Sequence, residues 1–247
     1  MEAEIVVVAD ASALAEEAAA RFVRLAQEAT QSRGRFSAAL AGGSTPRELY
    51  ERLGRAPYRD QVPWPQVHLF WGDERRVPPD DPGSNYRLAA ETFVTRVPLP
   101  PENVHRMAGE LAPQAAVRAY RRDLEDFFCG PRPRFDLVLL GLGGDGHTAS
   151  LFPGAETLEK KTEIVAAVEA DYAGRPAGRL TLTLPAINTA RHVMFLVAGE
   201  DKAGIVGEVL EGPAGRFPAQ RVAPHAGHLT WLLDAGAASA LGEAGQR

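Results

Sequence analysis

Residues 136–154 read DLVLLGLGGDGHTASLFPG, and they carry the strongest chemical signal in the chain. Leu137 to Leu140 is an unbroken apolar run, which reads as a buried parallel strand. Gly141-Leu142-Gly143-Gly144 forms the loop after it. In parallel α/β sheets ligands sit beyond the carboxyl ends of strands, and Asp145 and His147 fall there. An imidazole in that position titrates near neutral pH and can serve as a general base. The plainer account of the same letters is a glycine turn with a capping aspartate and a solvated histidine.

Other loops fall at comparable points. Ala41-Gly42-Gly43-Ser44-Thr45-Pro46 has the parts of a phosphate cradle. Its glycines let the backbone approach closely, the N–H groups of the following helix point at the ligand, and Ser44 and Thr45 add hydroxyl donors. A glycine turn with an N-cap threonine explains that segment equally well. The lysine of a Walker A motif is missing, so a nucleoside triphosphate is not indicated. Trp71-Gly72-Asp73-Glu74-Arg75 places two acids and an arginine directly after a buried strand. The acids can contact sugar hydroxyls or move protons, and Arg75 can pair with an anion or polarise a carbonyl. An internal Asp–Arg salt bridge is the competing account. Arg179 and Lys202 are cations able to complete an anion site, although each reads as well as a solvated surface charge.

These residues need elements to position them. Ile5–Val8 is a short β-branched run, and Asp10 can cap a long helix from about Ala11 to Gln31, with Leu14, Ala18, Phe22 and Leu25 on one face. Strands are expected over Arg35–Ala41, Val67–Trp71, Phe135–Leu140, Ile164–Val168, Leu180–Leu184, His192–Ala198 and Leu229–Leu233. Helices are expected from Thr45 to before Gly54, Ser84 to about Thr95, Pro113 to Phe128 and Asp201 to Leu210, with an Ala-rich helix at the C-terminus. The βαβ rhythm implies a doubly wound, mainly parallel sheet with helices on both faces, in one domain spanning 1–247. Parallel strands would gather the loops on one rim, and that convergence separates a site from scattered polar turns.

Composition narrows the class. The chain has 247 residues, 45% hydrophobic and 24% charged, which is ordinary for a globular domain. Its net charge of −5 argues against a broad nucleic-acid surface. No apolar stretch reaches the roughly 18 residues of a membrane span, and the N-terminus lacks a basic leader, so a cytoplasmic protein without membrane partners is expected. The single cysteine, Cys129, excludes an internal disulfide and a thiolate metal cluster. It is expected to be a buried, inert thiol in the run Phe127-Phe128-Cys129. Neither metal nor cofactor is expected, and a monomer is the simplest assembly.

The loops named above, with Ser84-Asn85-Tyr86, the whole of Gly141–Gly154 and Arg179-Leu180-Thr181-Leu182-Thr183-Leu184-Pro185, resemble the glucosamine-6-phosphate isomerase/6-phosphogluconolactonase superfamily over nearly the full chain. The lactonase branch is the better fit. That resemblance implies hydrolysis of 6-phospho-D-glucono-1,5-lactone to 6-phospho-D-gluconate in the pentose phosphate pathway. It assigns His147 as the base that activates water. Ser44 and Thr45, on the Gly42-Gly43 loop, would hold the 6-phosphate with Arg179 and Lys202. Arg75 would lie near lactone or phosphate, and Asp145 and Asp73 would line the sugar pocket. The Pro82-Gly83-Ser84-Asn85 segment departs by one residue from the Ser-Asp-Asn of many relatives. The isomerase/deaminase branch carries a glutamate just before the proline of this motif. Here that place is Phe152, which cannot relay a proton. A non-catalytic sugar-phosphate sensor would have little use for His147, and no G-x-G-x-x-G follows the first strand to suggest a dehydrogenase.

Overall fold

The apolar runs that precede the glycine loops become strands of one sheet. In the computed structural model, which describes residues 3–171, 174 and 176–242, the first half runs β1 (Glu4–Val8), α1 (Ala11–Arg33), β2 (Phe36–Leu40), α2 (Ser44–Leu53), α3 (Tyr58–Gln61), β3 (Val67–Trp71), β4 (Asp73–Arg75) and α4 (Asn85–Thr92). The rest runs α5 (Pro113–Phe128), β5 (Leu137–Leu140), β6 (Val165–Glu169), β7 (Gly178–Leu182), α6 (Leu184–Ile187), β8 (His192–Val197), α7 (Ala203–Leu210) and β9 (His228–Asp234). The main sheet has the order β1-β9-β8-β5-β2-β3, with every pairing parallel. From β2 the chain steps outward to β3, whereas from β5 it steps the other way to β8 and β9. That reversal opens a crevice at the carboxyl ends of β2 and β5, and the two glycine loops begin there.

Sequence signals fix several element ends. Asp10 accepts a hydrogen bond from Ala13 N at 2.8 Å to start α1, and Gly34, at φ 77°, ends it. Leu14, Ala18, Phe22 and Leu25 are buried along that helix, and Phe22 meets Phe36 of β2 edge-on at 5.2 Å. Burying such a side chain stabilises the fold by about 1.5–3 kcal/mol. Ser84 caps α4, which stops at Thr92 and gives way to a 3-10 turn, Val94–Arg96. Two buried tyrosines then secure the rim. Tyr50 Oη donates to Ala41 O at 2.7 Å and accepts from Ala41 N at 3.0 Å. Tyr120 Oη makes the same paired contact with Trp71, both at 2.9 Å. Each satisfies the peptide group at which a strand turns into a site loop.

Some expectations change. The strands near 164–168 and 180–184 form a separate antiparallel sheet, β4-β7-β6. Residues 170–177 are too few for a parallel crossover, which needs about a dozen or more. Asp73–Arg75, read as a loop, is the edge strand β4 of this second sheet. The Ala-rich C-terminal helix does not form over 235–240, which are turns, and residues 243–247 lie outside the described residues. Asp234 captures the N–H groups of Ala237 and Gly199 and so turns the chain. Cys129 is exposed rather than buried. It follows α5 in the left-handed conformation, φ 53°, which ends the helix and carries the thiol off the apolar face that Phe127 and Phe128 share.

Candidate active site

The crevice is a cavity of about 180 Å³. Gly42, Gly43, Ser44, Thr45, Asp73, Arg75, His147, Arg179 and Lys202 all line it. Asp145 does not; it stands beside the imidazole instead. α2 begins at Ser44, one residue earlier than the sequence suggests, with Gly43 in the capping position at φ 112° and no side-chain cap. A left-handed φ of this kind favours glycine. Because no side chain caps this end, the first N–H groups of α2 open toward the cavity, and the helix dipole favours an anion there. Lys202 reaches the same cavity from the turn between β8 and α7.

His147 and Asp145 form a tight pair, with Nδ1 2.5 Å from Asp145 Oδ1. The same carboxylate oxygen accepts from His147 N at 3.1 Å, which fixes the turn that carries both side chains. Gly143 makes the approach possible: a Cβ there would lie 2.1 Å from His147 Nδ1 and 2.8 Å from Asp145 Oδ1. The ring of Phe152 packs on the imidazole, centroids 4.4 Å apart. Burial pushes the His147 pKa below the ordinary histidine value, against the raising influences of Asp145 and Asp73. Asp145 alone would raise it; desolvation wins. The imidazole is therefore held neutral at pH 7.

The second sheet supplies the opposite wall. Alternation along β4 aims Asp73 and Arg75 to one side and Glu74 to the other. Arg75 stands opposite Arg179 of β7, whose residue is 2% exposed, so two guanidinium groups share one cross-strand position. Like charges so placed repel, an arrangement that suits an anionic ligand. No salt bridge joins Asp73 to Arg75. Asp73 accepts from Ser150 Oγ at 2.7 Å and Asn85 Nδ2 at 3.1 Å, while Arg75 Nη1 donates to Gly83 O at 2.6 Å. The Glu74 carboxylate, 2% exposed, accepts from the N–H groups of Asn85, Tyr86 and Arg75 and from Ser84 Oγ. Glu74 thus ties the start of α4 to β4. Asn85 fills the space beside Gly42, where a Cβ would sit 1.8 Å from its Oδ1.

The letters alone assign no role to Asn85 or Ser150, and they leave Glu74 as one of two acids on a loop. The Ser84-Asn85-Tyr86 motif is visible, but its work, holding Asp73 against the glycine loop, depends on contacts across the sheet. Among the described residues no group of three or more His, Cys, Asp or Glu side chains is arranged to hold a metal ion, and no helix is long and apolar enough to cross a membrane.

The family model described as "Glucosamine-6-phosphate isomerases/6-phosphogluconolactonase" matches residues 9–231. A protein of Synechocystis sp. named 6-phosphogluconolactonase is 43% identical over 213 residues, covering 84% of this chain and 85% of the relative. The solved structure of 6-phosphogluconolactonase from Trypanosoma brucei superposes with a TM-score of 0.86 at 30% identity, covering 98% of this chain and 99% of that one. A monomeric glucosamine-6-phosphate deaminase shares the fold, with a TM-score of 0.82 at 23% identity over 96% of this chain and 100% of its own. With a cavity at the switch point of its sheet and a family match across most of its length, this chain belongs to the glucosamine-6-phosphate isomerase/6-phosphogluconolactonase family.

Proposed function

We propose that the chain hydrolyses 6-phospho-D-glucono-1,5-lactone to 6-phospho-D-gluconate, with His147 as the base. The observation that carries this is one cavity lined by both a neutral imidazole paired to Asp145 and the cations Arg75, Arg179 and Lys202. With Nδ1–H donated to Asp145, Nε2 is the nitrogen that accepts a proton. His147 takes one from water as the oxygen attacks the lactone carbonyl carbon, C1. The tetrahedral intermediate then collapses, the bond from C1 to the ring oxygen breaks, and the histidinium returns the proton to that oxygen. Arg75 stabilises the oxyanion, and Asp145 orients the ring and stabilises its charged form. General acid–base help of this kind is worth about 10²–10⁴ in rate.

The N-terminus of α2, the Ser44 and Thr45 hydroxyls, Lys202 and Arg179 bind the 6-phosphate, which sets C1 at a fixed distance from the base. Asp73, held by Ser150 and Asn85, accepts from sugar hydroxyls. Phe152 favours the lactonase over the isomerase/deaminase reading, because the ring lies against His147 where ring opening would need a proton relay. In this reading the acting unit is a cytoplasmic monomer that works on a charged sugar derivative. Freshly prepared 6-phosphogluconolactone, corrected for spontaneous opening, should be hydrolysed while glucosamine-6-phosphate is left unchanged in a parallel assay. Release of ammonia from the amino sugar, with no accelerated lactone opening, would replace this reading with the deaminase.

A further inference from the structure

The other end of the sheet carries a second concentration of positive charge. Arg33 closes α1, Arg35 precedes β2, Arg134 lies just before β5 and Arg191 just before β8. These are the amino-terminal ends of three adjacent central strands, the rim opposite the one that carries His147. The four arginines line one cavity of about 420 Å³ with Ser37 and a single carboxylate, Asp136.

Asp136 is buried and fully engaged. Its Oδ2 accepts from Ser37 N and Ser37 Oγ, each at 2.9 Å. Its Oδ1 takes Arg33 Nη2 at 2.8 Å and lies 3.3 Å from Arg191 Nε. That leaves Arg35 and Arg134, both exposed, with backbone partners: Arg35 Nη2 donates to Phe127 O at 3.1 Å and Arg134 Nη2 to Ala226 O at 3.3 Å. Neither has a carboxylate partner among the described residues. Arg191 is pushed below the usual arginine pKa by burial and then by the charges of Arg134 and Arg33, with Asp136 acting the other way.

Four guanidinium groups around one engaged carboxylate repel one another, and the chain as a whole carries a net charge of −5. Arg35 also lies over the Phe127 ring at 4.1 Å, yet neither Arg35 nor Arg134 has its charge met by a carboxylate among the described residues. Asp136 is already satisfied by Ser37, Arg33 and Arg191. Guanidinium forks match phosphate oxygens in paired hydrogen bonds. We propose that this rim is a second anion site, taking the phosphate or pyrophosphate group of a small phosphorylated molecule. It is separate from the substrate cavity, since the five residues of β2 hold the two rims roughly 15 Å apart at ~3.3 Å per residue.

The test is calorimetric titration with inorganic pyrophosphate at constant ionic strength, on the parent protein, on Lys202→Ala and on the double variant Arg35→Gln/Arg134→Gln. The parent should show two saturable events. Lys202→Ala should weaken one, and the double variant should weaken the other by ~10-fold or more while leaving lactone turnover and melting temperature unchanged. The charge-preserving Arg35→Lys/Arg134→Lys protein should keep most of the second event. A single event that Lys202→Ala weakens, or pyrophosphate binding indifferent to the double variant, would overturn the proposal.

Discussion

At His147 two influences oppose each other, and their balance sets the pH behaviour of the site. Burial favours the neutral ring, and Asp145, 2.5 Å away, favours the charged one; burial prevails. The acidic limb of kcat/KM should therefore lie below the unperturbed histidine value of about 6.5. Asp145→Asn removes a raising influence, so the limb should move lower still while kcat drops. Both shifts are read from pH–rate profiles, and a limb above 6.5 in the parent protein would contradict the burial account. His147→Ala should lower kcat by about 10²–10⁴ with KM little changed. A folded His147→Ala protein that retains near-parental turnover would remove the base assignment. Lys202→Ala should act the other way round, raising KM for the phosphorylated lactone, because one charge-assisted hydrogen bond is worth roughly 1.5–3 kcal/mol.

Among the elements, the loops work because particular residues let them come close. Gly143→Ala would place a Cβ 2.1 Å from His147 Nδ1, so it should impair kcat nearly as much as removing the base while far-ultraviolet circular dichroism stays unchanged. Tyr50→Phe removes both hydrogen bonds to Ala41 in a buried position. It should destabilise the protein by about 1–3 kcal/mol in urea unfolding, and it should raise KM through the loosened cradle. The same elements show what the letters alone can convey. Strands ending in glycine loops are legible at Leu40 and Leu140, because a buried parallel strand is a run of apolar residues whatever its neighbours do. Asp10 and Gly34 mark the ends of α1 through local capping chemistry. The second sheet is not legible as such, since β4 is three residues long and is defined only by its pairing with β7. The letters put Arg179 just ahead of its strand, whereas it is the second residue of β7, where the pairing with β4 sets it opposite Arg75. They misplace Cys129 because a left-handed helix cap leaves no mark in a run of apolar residues.

Across the whole molecule, the parallel sheet and the smaller antiparallel one are joined without a linker at Gly72, whose N–H donates to Leu40 O and whose C=O accepts from Leu182 N. One folding unit is the reading we propose for the chain, and thermal unfolding should show a single transition with coincident near- and far-ultraviolet signals. Acid should weaken it. Burial is the leading cause that lowers His68 and His192 to about 4 and also lowers His147. The unfolded chain therefore binds more protons than the native one below about pH 6.5, and stability should fall as pH drops from there toward 4. Urea midpoints at pH 7 and pH 5 read this directly. Activity should survive exhaustive chelation, because the base and the charges needed by the reaction are side chains of the cavity. The central claim is that an anion clamp and a base act on one molecule from different walls of that cavity. Its most direct measure is the ratio of kcat/KM for the phosphorylated and unphosphorylated gluconolactones, each corrected for spontaneous hydrolysis. The parent protein should prefer the phosphorylated lactone by about 10-fold or more for each charge-assisted hydrogen bond that the phosphate makes. Lys202→Ala should shrink that preference, and His147→Ala should slow the phosphorylated substrate without restoring parity. Equal turnover of the two lactones by the parent protein would contradict the account.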